Sequence, residues 1–449
     1  MQTKKITIVG AGLVGSLLAI YLRKKGHSVT VFERRVDLRK EDISAGKSIN
    51  LALSDRGWKP LKEVGLEDEL LKMIIPMKGR LMHDTKGGLT FQPYGKEGQA
   101  INSISRGGLN ALLMNKAEDI GVDFKFEHKC VDVDFNQHIV DFEQDGKNIK
   151  VKSDLIFGAD GAFSAVRAAF QKTDRFNYSQ NYIPHGYKEL VIPATATGDF
   201  AIEKNALHIW PRGEYMLIAL PNLDASFTVT LFLPFEGNTY SFEQLDSDKK
   251  ITSFFKDVFP DALKHMPTLL DDFRSNQAAS LVTVKSFPWV KNNTMLLGDA
   301  AHAIVPFYGQ GMNCGFEDCF ELNQLIEKNG DDWHATFTEF NATRPQNSNA
   351  IADLALENFV EMRDKVGDEH FLLRKKIEAR LHQLYPQKWI PQYSMVTFND
   401  QISYSHAMQV GKLHRQVMNE IMAMPNISNN WENLDFEMII DDLKVLLEG

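Results

Sequence analysis

The chain has 449 residues, 43% hydrophobic and 24% charged, with a mean hydropathy of -0.27. That length exceeds one ordinary core and implies roughly two or three domains, and the composition excludes a disordered chain and a polytopic membrane protein. The net charge of -9, from 50 Lys and Arg against 59 Asp and Glu, argues against a basic nucleic-acid binder, so no nucleic-acid partner is expected. Cys130, Cys314 and Cys319 form no disulfide framework, and their odd number points to a reducing compartment and a cytoplasmic location. No CxxC or HExxH spacing occurs, so no metal site is expected.

In chain order, Ile6 to Val9 is a β-branched run ending at Gly10 and reads as a buried strand. Leu13 to Lys25 reads as a helix, with Lys24 and Lys25 in its last turn and Gly26 as its stop. Ser28 to Glu33 reads as a second strand, completing a βαβ unit of about 30 residues with parallel strands. Lys4 and Lys5 before the apolar run Ile6 to Leu22 imitate a targeting segment. That run is short of the ~20 residues a spanning helix needs and is broken by three glycines.

Asn181 to Phe235 is strand-rich. His208 to Leu220 reads as a hairpin turning at Pro211-Arg212-Gly213-Glu214, and Phe227 to Leu233 as an alternating strand of an antiparallel sheet. From Phe316 the apolar spacing is helical to about residue 384, and again from about 403 to 424, near the 3.6-residue period. The acidic tail from Asp435 to Gly449 is too short to span a bilayer, so no membrane anchor is expected.

Three segments carry chemistry. Gly10-Ala11-Gly12-Leu13-Val14-Gly15 is a GxGxxG between a strand and a helix. Gly10 permits the tight turn, Gly12 the approach of a pyrophosphate, and Gly15 close packing of helix on strand. Glu33, ending the second strand, is placed for a ribose 2′-OH and would repel a 2′-phosphate. The motif by itself does not separate NAD from FAD. Asp154 to Arg167 runs a strand into Gly158-Ala159-Asp160-Gly161. It reads either as the edge of a nucleotide site or as a strand-to-helix turn with Asp160 as cap. Met295 to Asn313 contains a strand ending in Gly298-Asp299 and then a Gly309-Gln310-Gly311 loop opening a helix. Asp299 can accept hydrogen bonds from a sugar-alcohol chain, and the loop amides can face an anionic ring. His302 is weighed as a base, with a structural role favoured.

In this order the three segments resemble the group A flavoprotein aromatic hydroxylases. The resemblance implies bound FAD, with NADPH and O2 as co-substrates and no second nucleotide domain; no second GxGxxG is present. It implies an α/β fold, a Rossmann-like FAD-binding domain (1–75, 97–176 and 288–327) interleaved with a β-sheet substrate domain (76–96 and 177–287). A C-terminal helical region (328–449) follows.

The resemblance narrows to the members that hydroxylate L-kynurenine. It is carried by Lys78-Gly79-Arg80, Gln92-Pro93-Tyr94-Gly95, Ser103 to Gly107, Val305 to Asn313, Glu357-Asn358-Phe359 and Pro391 to Phe398. It implies that Arg80, Tyr94, Asn358 and Tyr393 hold the amino-acid end of the substrate. It also implies that Glu33, Arg34, Arg35, Ala52, Arg106, Val131, Asp299, Met312 and Asn313 contact FAD, beside Gly10, Gly12, Leu13, Val14, Gly15 and Gly311 of the glycine motifs. No side chain is expected to be catalytic, because a flavin C4a-hydroperoxide delivers the oxygen; Phe307 and Tyr308 are expected to wall the site. Cys314 replaces an alanine frequent in the family and is expected to be silent. The residue chemistry agrees with these roles. Arg80 can grip a carboxylate with two parallel hydrogen bonds, and the tyrosines offer phenol donors on rigid bodies. A sister hydroxylase of another aromatic acid and a non-enzymatic flavoprotein remain as rivals. The oligomeric state is open.

Overall fold

The structure, a computed structural model, describes residues 2–40, 50–94, 98–237, 239–364 and 369–448. Gly95 of the Gln92–Gly95 motif and residues 365–368 of the helical run lie outside them.

Strand β1 (Lys5–Val9) leads into helix α1 (Leu13–Lys24) and strand β2 (Ser28–Phe32). β1 pairs in parallel with β2 on one side and with the strand Leu155–Gly158 on the other. That central position explains its apolar sequence, because both faces are covered: Ile6 and Ile8 are buried on one and Thr7 and Val9 on the other. Among the described residues the sheet has six strands and reaches the strand Thr294–Leu296, beside which the Gly298-Asp299 turn begins. The three chemistry-bearing segments therefore leave neighbouring parallel strands at their C-terminal ends, where open α/β sheets bind ligands. The apolar run Ile6 to Leu22 belongs to this sheet and its covering helix, and no described helix is long and apolar enough to cross a membrane.

Among the described residues a second sheet has seven strands, antiparallel except for the parallel pairing of Gly79–His83 with Leu207–Arg212. The hairpin turns between Arg212 and Tyr215, one residue later than the sequence places it, because Gly213 takes the left-handed conformation (φ +66°). Phe227–Pro234 is buried along its whole length. Its alternation separates two covered faces. Phe227, Val229, Leu231 and Leu233 pack under helices around Phe254 and Phe255, while Phe232 points to the opposite side, with ring centres 5.0 Å from Phe307. Each fully buried side chain of this kind contributes about 1.5–3 kcal/mol.

The strand β3 (Asn50–Leu53) and helix α2 (Asp55–Glu63) follow the first unit, and α2 packs on the helix Gly311–Asn329. The expected C-terminal helices are Trp333–Asp364, Glu369–Leu384 and Tyr404–Met422, with Phe436–Glu448 forming the acidic tail.

Candidate active site

The glycine turn after β1 has the shape its sequence requires. Gly10 has φ +106°, and a Cβ there would stand 2.5 Å from the Ala159 carbonyl oxygen. A Cβ on Gly15 would stand 2.0 Å from the Gly10 carbonyl oxygen, so helix and strand touch at that point. At Gly12 a Cβ would meet nothing within 4 Å. This backbone faces open space, and Gly12 supplies no side-chain cap to α1, so the first helical amides are left for an anion.

Glu33 follows β2 directly. One of its carboxylate oxygens accepts from the Ala11 N–H and the other from the Arg35 N–H, both at 3.0 Å. The carboxylate is thereby held beside the glycine turn with lone pairs to spare for hydroxyl donors. Asn110, which the sequence reading passed over, donates to the Ala11 carbonyl at 3.0 Å and fixes the turn from behind.

One cavity of about 430 Å³ runs from this turn to the second sheet. Of the residues expected at the cofactor, Gly12, Leu13, Val14, Ala52, Arg106, Asp299, Gly311 and Met312 line it. Gly10 and Gly15 form the packed back of the turn. Arg34, Arg35 and Val131 are exposed and do not line it. Asn313 is fully buried, and its side chain works as a fastener. Its oxygen accepts from the Ser54 N–H at 3.0 Å, and its amide donates to the carbonyls of Ala52 (2.9 Å) and Gly309 (2.8 Å).

The two readings of the Asp160 segment both have a physical counterpart. The Asp160 carboxylate accepts from the Ser164 hydroxyl (2.5 Å) and the Ala165 N–H (2.7 Å), so it caps the following helix, while Ala159, Gly161 and Ala162 line the cavity. Asp299 is exposed where it lines the cavity, with protein packed closely around it. Removal from bulk water raises its pKa, an effect the Arg106 charge opposes. The helix opening at Gly311 also lacks a side-chain cap. Two helix N-termini therefore present free amides to one cavity, a donor set that suits a ligand with a pyrophosphate and an electron-accepting ring. The residues present fit FAD.

The far end of the cavity is aromatic and cationic. The Arg80 guanidinium lies 4.3 Å from the centre of the Tyr393 ring and 5.7 Å from that of Tyr94. Tyr393 stacks on Tyr94 (5.8 Å) and on Tyr308 (5.3 Å). Burial works against the Arg80 charge, but the facing Tyr393 and Tyr94 phenols outweigh it and hold the pKa above the ordinary arginine value. Burial likewise raises the phenol pKa values of Tyr94 and Tyr308. The Tyr94 hydroxyl is buried with no hydrogen-bond partner. Among the described residues no carboxylate forms an ion pair with Arg80. Buried donors of this kind favour a ligand that brings its own acceptors.

Asn358 does not line the cavity; its amide donates to the Phe307 carbonyl at 2.6 Å, supporting the wall. Phe307 and Tyr308 do line it. The sequence reading did not identify the apolar floor, which includes Ile209, Met216, Phe232 and Leu281 from the second sheet. Alternation marks two faces of a strand but not which one meets a cavity.

His302 lies in a buried charge cluster and does not line the cavity. It contacts Asp318 at 2.6 Å, and Arg344 contacts Asp318 (2.6 Å) and Glu317 (2.7 Å). Burial lowers the His302 pKa, but Asp318 and Cys314 outweigh that and push it up to about 10. His302, Cys314 and Asp318 bring ligand-type atoms within 4.8 Å of one another. Asp318 is already engaged by Arg344, His302 and the Gly298 N–H, and a guanidinium at contact distance repels a cation. Cys314 lies 3.4 Å from Arg344 and 3.9 Å from His302, so it packs directly on this cluster.

The architecture and cavity together define the class of FAD-dependent aromatic monooxygenases. A family model described as FAD binding domain matches residues 3–330. The structure is similar to the tetrameric form of 2-methyl-3-hydroxypyridine-5-carboxylic acid oxygenase (TM-score 0.68, 20% identity, covering 82% of this chain and 94% of that one). At that identity the likeness speaks for the fold. The sequence is 51% identical over 448 residues to kynurenine 3-monooxygenase of Flavobacterium johnsoniae, covering 99% of both chains. It is 43% identical to that of Sus scrofa over 424 residues, covering 93% of this chain and 89% of that one. The chain belongs to the kynurenine 3-monooxygenase family.

Proposed function

We propose that the chain hydroxylates L-kynurenine to 3-hydroxy-L-kynurenine, using NADPH and O2, in the cytoplasm. One observation carries the reading: Arg80 and the unpartnered Tyr94 hydroxyl converge with Tyr393 at the end of the cavity remote from the glycine turn. Such a corner suits an amino acid, whose carboxylate pairs with the guanidinium while its aromatic ring extends along the apolar floor toward Gly311. The names of the relatives support the choice of substrate. The three cysteines are free and buried, which fits a reducing compartment.

Bound FAD would supply the redox chemistry by which the electron pair of NADPH reduces dioxygen, one oxygen atom going to the aromatic ring and the other to water. The protein supplies the rest. Gly12 and the start of α1 receive the pyrophosphate, Glu33 the adenosine ribose, and Asp299 the sugar-alcohol chain. Arg106 and the amides at Gly311 and Met312 face the ring system and stabilise negative charge on it. Arg80, Tyr94 and Tyr393 anchor the substrate, and Asn358 supports it through Phe307. Phe307 and Tyr308 exclude water. In this proposal the FAD-binding domain takes 1–75, 97–176 and 288–327, the substrate domain 76–96 and 177–287, and the helical region 328–449.

The test is NADPH oxidation by the flavin-loaded protein with kynurenine or 4-hydroxybenzoate. Stimulation by kynurenine alone supports the proposal. Stimulation by 4-hydroxybenzoate alone assigns a sister hydroxylase, and no stimulation by any aromatic acid assigns a non-enzymatic flavoprotein.

A further inference from the structure

Arg56 looks like a surface residue in sequence, on a polar helix between Asp55 and Lys59. In the structure it is 2% exposed. Burying a guanidinium is costly unless its donors are met, and here five acceptors surround it. Its Nε–H donates to the Val396 carbonyl (2.6 Å) and its Nη1 to a Glu317 carboxylate oxygen (2.6 Å). The two Nη2 hydrogens are shared among the carbonyls of Met395 (3.2 Å), Asn399 (2.9 Å) and Ile402. The Tyr404 ring lies 4.2 Å beneath it.

Met395 and Val396 belong to the last turn of the short helix Gln392–Thr397. Carbonyls there have no intrahelical partner, and a cation satisfies them both by hydrogen bonding and through the helix dipole. A helix of six residues is not stable by itself. Arg56 therefore fixes where this helix sits, and Tyr393 is in its first turn. Two residues before Arg56, the Ser54 N–H donates to Asn313, which holds the Gly309 and Ala52 carbonyls. A Cβ on Gly57 would stand 2.2 Å from the Asn313 side-chain oxygen, so the start of α2 and the glycine loop are in contact.

We propose that Arg56 is a positioning residue for substrate binding: it locks the Tyr393 helix onto the same turn of α2 that fastens the glycine loop at Gly309. The register between the substrate's amino-acid end and the flavin-facing loop is thereby set at one turn, through Ser54 and Arg56. Lysine cannot replace Arg56, because one ammonium with three donors cannot reach acceptors spread around a planar fork. The inference rests on the proposal that Tyr393 meets the substrate's amino-acid end.

The experiment measures equilibrium binding of kynurenine to flavin-loaded wild type, Arg56→Lys, Tyr393→Phe and the double variant, with flavin content and Tm recorded for each. Arg56→Lys should retain flavin and weaken kynurenine binding about tenfold, equivalent to 1.4 kcal/mol. Tyr393→Phe should cost less in the Arg56→Lys background than in wild type, because the ring is already displaced. Additive losses, or an unchanged dissociation constant with only a lower Tm, would reduce Arg56 to a structural residue. If Arg56→Lys does not accumulate as folded protein, Arg56→Gln, which keeps amide donors without a buried charge, is judged by the same criteria. Failure of wild type to bind kynurenine rejects the substrate assignment and this inference with it; binding by wild type with additive variants rejects the role of Arg56 alone.

Discussion

The guanidinium of Arg80 stands 4.3 Å from the ring of Tyr393, a residue more than three hundred positions away in the chain. One lies on the strand Gly79–His83 of the second sheet, the other on a short helix that Arg56 ties to α2. The proposed substrate corner is thus a tertiary product, made by bringing distant segments to the end of a cavity that starts at the first glycine turn.

Arg80→Ala should weaken kynurenine binding by about 10- to 150-fold, since a charged hydrogen bond contributes about 1.5–3 kcal/mol. Arg80→Lys keeps the charge but loses the planar fork and should also bind poorly. Flavin content should stay normal in both. Decarboxylated kynurenine should bind weakly to wild type and lose little more in Arg80→Ala. Equal losses for the two ligands, measured as dissociation constants, would return Arg80 to a packing role.

Gly12→Asp should abolish flavin binding. A Cβ at Gly12 has space in the protein alone. The proposed pyrophosphate fills that space, and a carboxylate would add charge repulsion. The variant should purify colourless but folded by circular dichroism. A stoichiometric flavin spectrum would place the cofactor elsewhere.

The glycine turn, the first βαβ unit and the hairpin were legible in the sequence because local turn chemistry dictates them. The double role of the Asp160 segment was half legible, since an aspartate at a strand end serves a cap or a ligand site equally well. Asn358 reads as a substrate contact by resemblance, yet it does not line the cavity, and its amide donates to the Phe307 carbonyl behind the wall. Arg56 was illegible: four of its five acceptors are backbone carbonyls, which leave no mark in a sequence, and the fifth, Glu317, lies 261 positions away.

Tyr308→Ala should uncouple oxygen use from hydroxylation. Tyr308 is 7% exposed and stacks on Tyr393, so its removal opens the wall to water. Hydrogen peroxide formed per NADPH consumed should rise with kynurenine present. An unchanged ratio would remove Tyr308 from the wall.

His302 should make stability fall at alkaline pH. Its pKa in the folded protein, about 10, is raised above the ordinary value of about 6.5. The stabilisation is therefore fully present below about pH 6.5 and lost as pH rises through about 10. Wild-type Tm should decline across that window, and His302→Gln should be less stable at the acidic end and flatter across it. Parallel Tm profiles for the two proteins would show that His302 is not held protonated.

Glu33→Ala should weaken FAD retention by about 1.5–3 kcal/mol, the size of a charged hydrogen bond. Once flavin is saturating, the NADPH-over-NADH preference should not change. A reversed preference would assign this carboxylate to the nicotinamide nucleotide.

Product analysis separates hydroxylation of kynurenine from every rival activity. Flavin-loaded protein is given L-kynurenine, NADPH and air, and the aromatic products are separated and identified by mass and by comparison with standards. The expected product is 3-hydroxy-L-kynurenine, with one oxygen atom from O2 and close to one product per NADPH oxidised in the wild type. Unmodified kynurenine beside rapid hydroxylation of a different aromatic acid would contradict it.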